Sequence, residues 1–276
     1  MLGKKLGIDL GTANSVIFVQ GEGVVVTEPT VVAIDLNTYT VIAVGKKAKQ
    51  MIGKTPDNIV ARRPLREGVI ADSRITEALL RHFFDKALGK ARFFKPDVVM
   101  SVPAGITSVE ERAVHKAANA VGSRTVTLLP EPLLAALGAN LPIHTSSGNM
   151  IVNMGGGTTE VGVLSLDGVV EYESLRVAGD ALNEYIISYM KKKKGIMIGE
   201  QSAENIKIKI GSAAEIKSPK QMEVRGRDVG AGMPKSIMVD SNDVAKALEY
   251  PLKRIIGAIK SVLEKTPPEL SADIID

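Results

Sequence analysis

"NMGGGTTEVGVL", residues 153–164, decides how this chain is read. It follows an apolar run, opens on a short polar side chain, passes through glycine and threonine, and returns to an apolar run. "DLGTANSVIF", residues 9–18, has the same order about half the chain earlier. A Gly-Thr turn between antiparallel strands aims several backbone N–H groups away from the sheet. Such a nest attracts anions, phosphate above all, with little reorganisation. Glycine allows a close approach, and Thr12, Thr158 and Thr159 add hydroxyl donors. One such turn is ordinary hairpin chemistry. Two of them on repeated halves predict a polyphosphate held from both flanks.

Outward from these turns the two halves repeat a plan. In the first, short β-rich runs at residues 6–10, 16–20, 24–27, 31–35 and 41–44 are separated by turn residues. A lysine-rich helical piece at 46–52 and an amphipathic helix at 75–88 follow. "DVVMSVP" reads as a buried strand. Ser108 and Glu111 read as a capping box opening a helix that stops at Gly122. "TVTLL" is a further strand, and "EPLLAALGAN" a helix with Pro132 in its first turn. In the second half, 150–154, 160–165 and 169–174 read as a strand meander, followed by helices at 179–194 and within "GEQSAENIKIKIG". "QMEVRGR" and "KSIMVD" form a hairpin. A long helix at 242–265 requires a kink or restart at Pro251. The expected architecture is duplicated α/β: a first lobe 1–144, with core 1–32 and 66–144 and small subdomain 33–65, and a second lobe 145–276, with core 145–182 and 241–276 and small subdomain 183–240.

Composition narrows the class. Apolar content of 45% and charged content of 24% suit a packed globular chain and argue against disorder. The absence of cysteine excludes disulfides and thiolate metal sites and suits a cytoplasmic protein. No apolar stretch approaches the ~18 residues of a membrane span, and "MLGKKLGIDL" is not an export signal. Part of the +4 net charge sits in Lys191–Lys194 at a helix end, where cations suit the dipole. No aromatic residues interleave with these lysines, so nucleic acid is not expected as a partner.

Polyphosphate brings Mg²⁺, which keeps most of its waters while carboxylates hold them from outside. Asp9, before the first turn, and Asp180 in "VAGD", at a helix start, are placed for this. Glu131 precedes Pro132, which puts it at the N-cap with its carboxylate projecting. Helix capping and orientation of a hydrolytic water are both open to it.

The stretches "GIDLGTANS", "EPTVVAID", "GKTPDNIVARRPLREGVIAD", "VPAGIT", "NMGGGTTE", "VAGD", "AENIKIKIG" and "LEKTPPEL" together resemble the MreB family of bacterial actins, over essentially the whole chain. The resemblance implies an actin-like (ribonuclease H-like) ATPase fold with two lobes around a nucleotide cleft. It also implies ATP and Mg²⁺ as cofactors, paired protofilaments of the chain itself, attachment to the inner face of the cytoplasmic membrane, and work with the cell-wall elongation machinery to keep a rod shape. Carried onto this sequence, Gly11, Thr12, Ala13 and Asn14 and Gly155, Gly156, Gly157, Thr158 and Thr159 cradle the phosphates. Glu131 and Thr158 order the attacking water, and Asp9, Asn153 and Asp180 serve the metal. Glu204, Asn205, Ile206 and Lys207 approach the ribose and adenine; on their own Glu204 and Lys207 read as a surface i,i+3 ion pair.

Two departures stand out. The family has aspartate where this chain has Asn153, whose neutral amide predicts slower hydrolysis or weaker magnesium dependence. The family also continues beyond "SADIID" into a strand and a glycine-rich turn over the adenine, so residues 1–276 alone are expected to bind ATP poorly. Phe93 and Phe94, flanked by Lys90, Arg92 and Lys95, read either as a plug over the sheet end or, as the resemblance implies, as a membrane-inserting loop. Competing functions are a sugar kinase or chaperone ATPase on the same fold, for whose extra segments the chain has no room, and a non-catalytic filament or scaffold.

Overall fold

The computed structural model describes residues 3–89 and 94–275. The chain opens with a meander, β1 (Lys5–Leu10), β2 (Asn14–Val19) and β3 (Gly23–Pro29). Next come β4 (Val32–Asp35), β5 (Val41–Val44), α1 (Lys46–Met51), β6 (Ile59–Arg62) and the two-residue strands β7 (Leu65–Arg66) and β8 (Val69–Ile70). Then follow α2 (Ser73–Leu88), β9 (Asp97–Val102), α3 (Ser108–Ala120), β10 (Thr125–Pro130) and α4 (Glu131–Gly138). A second meander is made by β11 (Asn149–Met154), β12 (Thr159–Ser165) and β13 (Gly168–Leu175). The rest is α5 (Gly179–Lys194), β14 (Ile196–Met197), α6 (Glu200–Ile210), β15 (Gln221–Asp228), β16 (Pro234–Asp240), α7 (Ser241–Lys265) and α8 (Pro268–Asp273).

These elements gather into two compact units. One takes in the described residues up to Arg176 together with those from Ala258 onward; the other is Val177–Gly257. In the first unit the largest sheet has the order β10-β9-β1-β2-β3. The β1–β2–β3 edges are antiparallel, while β9 joins β1 and β10 joins β9 in parallel. Parallel neighbours need a crossover, which α2 and α3 supply. Leu6, Ile8 and Leu10 alternate with more exposed residues on β1 and pack with Leu79, Leu80, Phe83 and Phe84 of α2 in one buried cluster.

The second meander repeats the antiparallel order as β11-β12-β13. Every residue of β12 is buried. Val161 and Val163 cluster with Ala258 and Val262 of α7, whereas Leu164 clusters with Ala136 of α4 and Ile143. Adjacent residues of a strand face opposite ways, so β12 is covered on both faces, which explains a strand with no solvent side. In the other unit α5, α6 and the first part of α7 pack against the sheet β14-β15-β16 around Ile186, Met190, Ile206, Val239 and Leu248. Gly195, in the left-handed region, ends α5 after its four lysines.

Two local expectations shift by one residue. The capping box of α3 is Thr107 with Glu110, not Ser108 with Glu111: Glu110 N donates to Thr107 Oγ1, and the Glu110 carboxylate accepts from Thr107 N at 2.8 Å. The sequence "TSVEE" satisfies the pattern twice in adjacent registers, and β-branched Thr107 takes the extended N-cap backbone readily. The N-cap of α4 is Pro130, so Glu131 is the first helical residue and Pro132 the second. No side chain caps this helix, which leaves the Glu131 carboxylate uncommitted to capping. α7 runs on through Pro251 as one helix.

Candidate functional site

The two Gly-Thr turns meet within the first unit. The first joins β1 to β2 through residues 11–13, with Leu10 opposite Ser15. Its carbonyls are taken inward by Thr30: Thr30 N donates to Ala13 O at 3.0 Å and Thr30 Oγ1 to Gly11 O at 2.7 Å. What the turn has left to offer a ligand is its amide side. The second joins β11 to β12 through residues 155–158, closed by Gly155 N donating to Thr158 O at 2.9 Å.

Contact between the turns is close enough to require glycine. A Cβ on Gly156 would stand 2.5 Å from Ala13 Cβ, and one on Gly157 would land on Thr12 Oγ1 and 3.0 Å from the Glu67 backbone. The turn between β7 and β8 wedges in beside them. Glu67 and Gly68 both have positive φ, and Gly68 N donates to Thr12 Oγ1 at 3.0 Å. With its oxygen accepting there, the Thr12 hydroxyl has its own proton left to donate. Thr12, Thr158 and Thr159 are all buried. Arg176 holds Glu67 from the far side in an ion pair of 2.9 Å.

Carboxylates gather beside the turns. Asp9, next to last in β1, accepts at Oδ1 from Ser101 Oγ on β9 at 2.9 Å; burial raises its pKa and the Ser101 bond opposes this. Glu131 is carried in by α4, whose Pro132 rests on Gly162 so tightly that a Cβ there would come within 2.9 Å of the proline ring. Burial, then the charges of Glu160 and Asp9, push the Glu131 carboxyl up to about 8. Asn153 Nδ2 donates to Glu131 Oε2 at 3.4 Å. Glu160 is wholly buried, accepting from Ala104 N at 2.8 Å and Ser174 Oγ at 2.6 Å; its pKa is raised by burial against those bonds.

Among the expected residues, Asp9, Thr12, Ala13, Glu131, Asn153 and the 155–158 turn therefore come together. Asp180, in the first turn of α5, and Glu204, Asn205, Ile206 and Lys207, on α6, belong to the other unit. There Asn205 is exposed, Ile206 is core, and Lys207 Nζ donates to Gly179 O at 2.6 Å. Among the described residues no three His, Cys, Asp or Glu side chains form a metal cage. Phe94 is 55% exposed, whereas Phe93 lies outside the described residues. No described helix is long and apolar enough to cross a membrane.

Sequence reasoning missed Glu160, Ser101 and the Glu67–Gly68 turn. A glutamate inside the otherwise uncharged strand "TEVGVLS" was the available signal for Glu160. Nothing local links Gly68 to Thr12, a pair 56 positions apart.

Comparison with known proteins bears on the whole chain. The family model described as MreB/Mbl protein matches residues 3–276. The cell shape-determining protein Mbl of Bacillus cereus is 49% identical over 276 residues, which is all of this chain and 83% of the relative. The cell shape-determining protein MreB of Escherichia coli K12 is 46% identical over 99% of this chain and 80% of its own. MreB5 of Spiroplasma citri, solved bound to AMPPNP, superposes with a TM-score of 0.94 at 34% identity, covering 99% of this chain and 82% of that one. The MamK double helical filament, at 23% identity and a TM-score of 0.78 over 98% of this chain and 83% of that one, shares the actin-like α/β fold.

Proposed function

Because the chain belongs to the MreB/Mbl family, we propose that it is an ATP-binding, actin-like cytoskeletal protein that polymerises with itself and sets cell shape. The observation that carries this reading is the meeting of the two Gly-Thr turns, Gly156 against Ala13 and Gly157 against Thr12. Amides and threonine hydroxyls from both sides then converge on one anion. The MreB5 structures with AMPPNP and with ADP support a nucleotide as that anion, and the relatives' names support the shape-determining role.

In this reading residues 11–14 and 155–159 hold the phosphates, and Glu131 with Thr158 orients a water against the terminal one. Mg²⁺ would neutralise phosphate charge, with Asp9, Asn153 and Asp180 holding its waters; Glu204, Asn205, Ile206 and Lys207 take the nucleoside. The lobes 1–144 and 145–276 go with the same reading. The full-length protein is expected to pellet and scatter light only with ATP. Equal assembly without nucleotide would replace this reading with a nucleotide-independent scaffold.

Filaments of this kind would lie on the inner face of the cytoplasmic membrane and guide cell-wall synthesis. Exposed Phe94 next to Lys95 is the supporting feature. Burying one phenylalanine contributes ~1.5–3 kcal/mol and a cation near anionic lipid roughly 1 kcal/mol. A lone subunit binds weakly at that level, and a filament repeating the contact binds firmly. Phe94→Ser is expected to cut co-sedimentation of filaments with anionic liposomes several-fold; unchanged sedimentation would remove the membrane from the proposal.

A further inference from the structure

The geometry points to Asn153 as a positioning residue for Glu131: its side-chain amide holds the carboxylate from the end of a row of polar residues that crosses the sheet. The inference rests on the ATPase reading above and adds to it. In the register of β11, β12 and β13, Asn153 stands opposite Glu160, and Glu160 opposite Ser174. Directly opposed residues of an antiparallel sheet share a face, so Ser174, Glu160 and Asn153 form one transverse row ending beside Glu131.

The row is anchored at its middle. Glu160 is fully buried and held at both oxygens, by Ser174 Oγ at 2.6 Å and by Ala104 N at 2.8 Å. On the other side, the start of α4 is pinned by Pro132 against Gly162, which fixes where the Glu131 backbone stands. Between these two acidic side chains the structure has Asn153 Nδ2 donating to Glu131 Oε2 at 3.4 Å. An ionised aspartate there would have no proton to give Glu131 and would add a further acidic group beside Glu131 and Glu160. The asparagine gives a donor toward Glu131 and keeps its own oxygen as an acceptor for water. The residue that looks like a weakened metal site in the sequence becomes the group that aims the water-orienting carboxylate.

The test uses the full-length protein with ¹⁵N-labelled asparagine. One Asn153 side-chain N–H proton is expected downfield of free-amide values and is expected to return toward them in Glu131→Ala. In steady-state ATP hydrolysis, Asn153→Asp and Asn153→Ala are expected to lower kcat about tenfold or more, with KM for ATP within about threefold, as misaiming a catalytic group does. Amide signals unmoved by Glu131→Ala would overturn the inference, and so would a higher kcat in Asn153→Asp. If the parent protein hydrolyses no ATP, the ATPase reading is what fails, and the amide shift still decides whether the pair exists.

Discussion

Glu131→Gln is expected to slow ATP hydrolysis by ~10²–10³-fold while leaving ATP binding within a few-fold, because a general base contributes on that scale and only in the transition state. The substitution keeps size and shape on the first turn of α4 and removes the ability to take a proton. Single-turnover phosphate release beside nucleotide titration measures both halves. A variant that hydrolyses ATP at the parent rate would take Glu131 out of the mechanism.

The same residue is expected to set the pH dependence. With burial, Glu160 and Asp9 pushing its pKa up to about 8, the Glu131 carboxyl of the ligand-free chain is mostly protonated at neutral pH. Acceptance of a proton from water needs the ionised form, so kcat/KM is expected to rise about tenfold per pH unit below about 8 and level off above it. Stability runs the opposite way. Between the unfolded value of 4.5 and about 8 the folded chain keeps a proton that the unfolded chain has lost, so stability falls as pH climbs through that window. Water reaches part of this side chain, which limits the effect to roughly 1–3 kcal/mol. Glu131→Gln should remove the decline: its melting temperature relative to the parent is expected to increase from pH 5 to pH 9. A constant difference would mean that Glu131 titrates as an ordinary exposed glutamate.

What could be read in the sequence and what could not divides along the range of the interactions. The two meanders and their Gly-Thr turns were legible because alternation and turn chemistry are written within about ten residues. So was the helix that stops just before Gly122. The capping register of α3 was ambiguous because Thr107 and Ser108 each have a glutamate three residues on, so the local pattern fits both. Glu131 was placed one residue too early because Pro130, with no side-chain donor or acceptor, is an unusual N-cap. Illegible altogether were contacts made across long separations. The Thr12 hydroxyl is set by Gly68, Asp9 by Ser101, and buried Glu160 by the loop at Ala104. Each of those partners lies on a different strand or loop from the residue that it orients, so no local pattern announces it. The sequence pointed to Asp9, Thr12, Glu131, Asn153 and the 155–158 turn, which the fold brings together, and the fold decides which of their atoms are left to act.

The three glycines of "GGG" look equivalent in the sequence, yet they are expected to respond very differently to alanine. None of Gly155, Gly156 and Gly157 has positive φ, so space rather than backbone conformation is what matters at these positions. A Cβ on Gly155 meets only Thr158 O, at 3.4 Å. On Gly156 it would press into Ala13 at 2.5 Å from Cβ and 3.0 Å from N, and on Gly157 into Thr12 and the Glu67 backbone. Ala13 and Thr12 belong to the opposing turn, so a methyl at either later position forces the two turns apart. Overpacking of this kind costs about 1–3 kcal/mol, which lowers the melting temperature by roughly 5 °C in a chain of this size. The larger consequence is for binding. Two sets of amides aimed at one anion lose their common focus when one set moves by an ångström, and preorganisation is most of what such a site contributes. Gly156→Ala and Gly157→Ala are therefore expected to weaken ATP binding by more than ~30-fold, while Gly155→Ala melts with the parent. Calorimetric titration beside thermal melts of the three variants separates the cases. Parent-like affinity in both Gly156→Ala and Gly157→Ala would mean that the turns do not grip the phosphates together, and the case for a nucleotide-driven filament would fall with them.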